Sequence, residues 1–74
     1  MPNVDIYDRV NHEWIARDMP AGGITDALVC HFFPNGSGAF YDQEVYDACR
    51  RVGEAWVRNE PTEEHEAFLG ITIS

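Results

Sequence analysis

Between residues 42 and 58 the apolar side chains Val45, Ala48, Cys49, Val52, Ala55 and Trp56 recur at spacings of three and four, the period of one face of an α-helix. Most of the stability of such a helix comes from packing its apolar face, so the rest of the chain must supply a layer that covers it. Asp42 is placed to cap the N-terminus, and Asn59 before Glu60-Pro61 ends the helix, because the residue preceding proline is driven out of the α region. Gly53 costs an exposed helix about 1 kcal/mol relative to alanine, and its presence marks a place where another segment comes close. On the polar side, Asp47 and Arg51, and Glu54 and Arg58, stand four apart and are set to pair.

The covering layer reads as strands. Residues 25–33 form an apolar run containing Leu28, Val29, Cys30, Phe32 and Phe33, closed by Pro34-Asn35-Gly36-Ser37-Gly38, which predicts a buried strand. Near the C-terminus Leu69, Ile71 and Ile73 alternate with Gly70, Thr72 and Ser74, the period of a half-buried strand. The N-terminal third supports two readings. Ile6, Val10 and Trp14 have helical spacing, whereas 4–10 and 14–17 are rich in strand-favouring residues around the polar turn Asn11-His12-Glu13; the hairpin is preferred because two strands alone seldom make a stable sheet. The expected fold class is therefore α+β, with a small, mostly antiparallel sheet of three to four strands packed against one long amphipathic helix at about 42–58, in a single domain spanning 1–74.

Such a chain buries roughly 60 to 65% of the surface its unfolded form exposes, which leaves little room for a sheltered catalytic cleft. No Ser, His and Asp set has the context of a nucleophile elbow, and no acid reads as buried, so no enzymatic activity is expected. His12, His31 and His65 with Cys30 and Cys49 could supply zinc ligands, but Cys30 and His31 are adjacent and would face opposite sides of a strand, so neither metal nor cofactor is expected. The loop 34–38 lacks the lysine of a phosphate-binding loop, and Asp42 and Glu44 would repel a phosphate at the following helix. Cys30 and Cys49 are expected to be buried thiols, and Trp14 and Trp56 core residues. The N-terminal residues show no signal-peptide pattern and no apolar run reaches the roughly 20 residues of a membrane span. Those features imply a cytoplasmic protein away from membranes.

Charge is the strongest remaining feature. Thirteen acids stand against five arginines, a net charge of −8. Residues 1–41 hold five acids and two arginines (−3), 42–58 hold four and three (−1), and 59–74 hold four acids and no base (−4). A chain with this balance repels nucleic acid and is drawn to basic protein surfaces. A compact chain of this length is roughly 25 to 30 Å across, a span over which one DNA strand presents about eight charges at about 3.4 Å each. Glu60, Glu63, Glu64 and Glu66 form the cluster that no neighbouring base neutralises; with Asp5, Asp8 and Asp18 they make up the candidate partner-binding set.

In size, acidity and lack of a catalytic motif the chain resembles small phage-encoded inhibitors of the anti-CRISPR type, some of which mimic nucleic acid. The resemblance implies a monomeric inhibitor that presents a negative face to the nucleic-acid-binding site of a partner such as a CRISPR-Cas subunit, without binding nucleic acid itself. The stretch Trp14-Ile15-Ala16-Arg17-Asp18-Met19-Pro20 through Gly22 is also similar to the strand and turn of HicB-type antitoxins. That likeness implies the alternative, an interaction module or small assembly subunit binding through an apolar surface. An acidic domain adapted to high salt is a third expectation.

Overall fold

A computed structural model of the chain describes residues 3–34 and 42–74. The chain forms β1 (Asn3–Asp8), β2 (Glu13–Pro20), a 3-10 turn at Ala21–Gly23, α1 (Ile24–Phe32), α2 (Gln43–Val57), α3 (Glu63–Leu69) and β3 (Ile71–Ile73). The α+β class holds, and the sheet has three antiparallel strands in the order β2-β1-β3.

The N-terminal third is a hairpin. Val4, Ile6 and Asp8 of β1 are buried while Asn3, Asp5 and Tyr7 are not, the alternation that the pleat imposes. β2 carries two irregularities, since Ile6 opposes Ala16 while Tyr7 opposes Trp14, and Val4 opposes Met19. The extra residues kink this edge strand, and Asp18 takes a positive φ of 52° there. One consequence overturns an expectation: Trp14 is 50% exposed rather than core. It lies opposite Tyr7, with the rings edge to face at 5.0 Å, and the Arg17 guanidinium sits 4.0 Å above its ring. Trp56, by contrast, packs against the core.

Residues 25–33 do not form a strand; they belong to α1. The apolar run satisfies a helical geometry and packs on the sheet instead of joining it. Ile24 and Leu28, four apart, are fully buried on one helical face, with Val29 and Phe32 packed beside them. A continuous apolar run has no period of its own, so helix and strand compete until the neighbours decide. As a result Cys30 and His31 are separated by about 100° around a helix axis, and Cys30 is an exposed thiol rather than a buried one. The connection at 35–38 and the lead-in Ala39-Phe40-Tyr41 lie outside the described residues.

α2 follows its periodicity, but among the described residues it is one of three α-helices rather than a single long one, and at 15 residues it is the longest of them. Asp42 caps it, its Oδ1 accepting from the N–H groups of Glu44 and Val45 at 3.0 and 3.3 Å. Ala48, Cys49, Val52 and Ala55 are buried. The polar-face pairing differs from the expected one: Arg50 reaches both Asp47 and Glu54 at 3.9 Å, one turn to either side. Arg51 instead lines a groove against α3, and Arg58 caps the end of α2.

The core lies between the sheet and the helices. Val4 and Ile6 of β1 and Ile71 and Ile73 of β3 meet Ile24, Leu28, Cys49, Val52 and Leu69 from the three helices. Burying each large aliphatic side chain contributes about 1.5 to 3 kcal/mol. The opposite face of the sheet carries Tyr7, Trp14, Arg17 and Thr72. α3 enters β3 through Gly70, whose φ of 70° is the left-handed helix ending that glycine adopts at least cost. Among the described residues no helix is long and apolar enough to cross a membrane.

Candidate functional site

The structure distributes the seven candidate acids among four environments. Glu60, Glu63 and Glu64 stand exposed at the corner where α2 hands over to α3, and no ion pair among the described residues engages them. Glu63 and Glu64 occupy the first turn of α3, where the unpaired N–H groups of the helix favour negative charge. Phe68, four residues after Glu64 and so on the same face, is 56% exposed. With His65 it forms one wall of an open groove of about 290 Å³ whose other wall is Glu44, Asp47, Ala48 and Arg51 of α2.

Glu66 faces the other way. Its Oε1 accepts the Ile73 N–H at 3.0 Å, and its Oε2 accepts the hydroxyl of the buried Thr62. β3 pairs with β1 through Thr72 and Ser74, so the Ile73 N–H points to the open edge of the sheet. The carboxylate caps that edge, which would otherwise offer a free donor to another strand.

Asp5 and Asp18 are tied together on the hairpin. The Asp18 N–H donates to Asp5 Oδ1 at 2.7 Å, Asn3 Nδ2 donates to Asp18 Oδ1 at 3.0 Å, and Arg17 Nε lies 3.9 Å from Asp5 Oδ1. Their charge is therefore partly matched by Arg17.

Asp8 is the departure from sequence reasoning. Its side chain is 1% exposed, a buried acid where none was expected. Alternation along β1 could have shown it, because Asp8 shares the inward parity of Val4 and Ile6. Four donors surround it. Oδ1 accepts from Val10 N at 2.9 Å and Asn11 N at 3.0 Å, closing the hairpin turn; Oδ2 accepts from Asn11 Nδ2 at 3.0 Å and lies 2.8 Å from His31 Nε2. Burial pushes the carboxyl pKa up, but the Asn11 backbone, the His31 ring, the Asn11 amide and the Val10 N–H together outweigh it and hold the group at about 2. His31 Nε2 also stands 3.7 Å from Glu13 Oε1. Three elements thus converge: the end of β1, the start of β2 and the last turn of α1. Donor atoms of Asp8, Glu13 and His31 all lie within 4.8 Å of one another.

No protein family, curated protein or solved structure matches this chain.

Proposed function

We propose that the protein acts by binding rather than by turnover, and that it presents the acidic corner of α2 and α3 to a basic surface of another protein. The observation that supports this most is the set of exposed, unpaired carboxylates of Glu60, Glu63 and Glu64 beside the exposed ring of Phe68. Uncompensated charge steers a cationic partner and sets its approach, and a protruding aromatic side chain gives such an encounter an apolar anchor. A site that binds nucleic acid, such as that of a CRISPR-Cas subunit, has the required positive charge. The seven acids do not all contribute, since Asp8 is buried and Glu66 is engaged with β3. The contact is then smaller than a full match to eight phosphates, and Phe68 carries part of it.

The test is capture from a lysate of the source organism at low and at high salt, using the native chain, a Glu60→Gln, Glu63→Gln, Glu64→Gln triple variant and Phe68→Ala as baits. Salt-sensitive capture of a nucleic-acid-binding protein by the native chain, weakened at least tenfold in the triple variant, supports the reading. Equal capture by all three baits defeats it.

A second reading rests on the exposed Trp14, edge to face with Tyr7 on the uncovered face of the sheet. Here the protein is an interaction module with an apolar surface. Capture that survives high salt and is lost in Trp14→Ala would favour it over the acidic corner.

A further inference from the structure

A carboxylate, an imidazole and a second carboxylate brought together by three separate elements form a donor set suited to zinc. Tetrahedral zinc with bonds of about 2.0 to 2.2 Å to nitrogen and oxygen holds its ligand atoms about 3.3 Å apart. The His31 Nε2 to Asp8 Oδ2 separation of 2.8 Å and the His31 Nε2 to Glu13 Oε1 separation of 3.7 Å bracket that value, each within about half an ångström. All three donor atoms lie within 4.8 Å of one another, and the remaining adjustment falls to Glu13. Glu13 is 57% exposed and free to turn, whereas Asp8 is fixed from behind by Val10 and Asn11. Such outer contacts orient a ligand and strengthen its hold on a metal.

Electrostatics at this place favour a cation independently of the donors. His31 lies in the last turn of α1, whose C-terminal carbonyls carry partial negative charge. No arginine takes part in the cluster; the contacts of His31 there are with the two carboxylates. An imidazole with carboxylates selects zinc and its transition-metal neighbours over magnesium, which prefers all-oxygen octahedral sites.

We propose that Asp8, Glu13 and His31 bind one zinc-type divalent ion, which fastens the β1–β2 hairpin to the end of α1. The ion takes the place of the proton on His31 Nε2, and that proton passes to solvent or to Nδ1. Three protein ligands leave a fourth position for water on the exposed Glu13 side. This site is separate from the acidic corner, and neither reading depends on the other.

Zinc chloride is titrated into the chelator-stripped full chain, with calorimetry for affinity and thermal unfolding for stability. One zinc per chain is expected, and zinc tenfold above its dissociation constant should raise the unfolding midpoint by roughly 5 to 10 °C, with no rise from magnesium. Glu13→Gln, at an exposed position that leaves the fold intact, should weaken binding at least tenfold, and His31→Gln should abolish the midpoint shift. His65→Gln and Cys30→Ser should bind as the native chain does. No midpoint shift in the native chain, undiminished affinity in Glu13→Gln and His31→Gln, or loss of binding in Cys30→Ser would each overturn the assignment.

Discussion

Gly53 of α2 lies so close to Thr25 of α1 that a Cβ placed on it would collide with Thr25 Oγ1 and stand 3.1 Å from the Thr25 backbone nitrogen. The two helices meet where one of them has no side chain. Gly53→Ala gains about 1 kcal/mol of helix propensity, yet the new methyl group forces α1 away, at a cost of typically 1 to 3 kcal/mol. The variant is expected to be net destabilised in urea unfolding. Greater stability than the native chain would show that α1 shifts freely on α2.

Glu66→Ala removes the acceptor for the Ile73 N–H and for the Thr62 hydroxyl. Thr62 is buried, so an unsatisfied donor there costs about 1 to 3 kcal/mol. Glu66→Gln keeps one acceptor oxygen and is expected to lose less. Amide hydrogen exchange at Ile73 should quicken in Glu66→Ala; unchanged protection would mean that the edge is closed by something else.

In the metal-free chain Asp8 ties stability to pH. Its folded pKa, at about 2, lies below the ordinary value of 3.8, so the folded state holds the ionised form more tightly than the unfolded state does. The contribution, on the order of 2 kcal/mol, is complete above about pH 5 and disappears as the pH falls through 2. Asp8→Asn should lose most of this pH dependence and be less stable than the native chain at pH 7. A native-like acid profile in Asp8→Asn would assign the acid sensitivity to other carboxylates.

The two thiols are expected to differ in reactivity. Cys30 is exposed, whereas burial pushes the Cys49 thiol up to about 11 and shields it from reagent. A disulfide reagent at neutral pH should modify one thiol per chain rapidly and the second only at the rate at which the structure opens. Rapid modification of both would show that α2 leaves the core readily.

Periodicity made α2 legible, since it keeps a fixed spacing of apolar residues over several turns; the hairpin was legible from its strand-favouring residues and from the need of a small sheet for more than two strands, its spacing fitting a helix as well. α1 was not legible. Its run from Ile24 to Phe33 is apolar at most positions, so the pattern fits strand and helix alike, and the choice is made by the packing of Ile24 and Leu28 into the core. Trp14 was misread for a related reason: the bulge opposite Ile6 and Tyr7 sets which face it joins, and no residue spacing announces a bulge. Glu60, Glu63 and Glu64 were visible as unneutralised charge because residues 59–74 hold four acids and no base. The task of Glu66 was hidden, because its partner is a backbone N–H on an edge that exists only once β3 has docked. Asp8 shares the inward parity of Val4 and Ile6, but its pairing with His31 exists only because residues 24–32 form a helix.

β1 is bordered by β2, which follows it directly, and by β3, which comes after all three helices. During synthesis the hairpin can zip up early, but the far side of β1 stays uncovered until the whole helical layer has been made. Asp5 and Arg9 face that wait most directly, since their backbone N–H groups donate to Ser74 and Gly70 on that side. Closure of this sheet is thus a late event that joins distant parts of the chain, and such long-range pairing slows folding. A nascent chain stalled before Ile71 would hold a hairpin with one side still sticky, the form in which this protein is most at risk of pairing with the wrong neighbour.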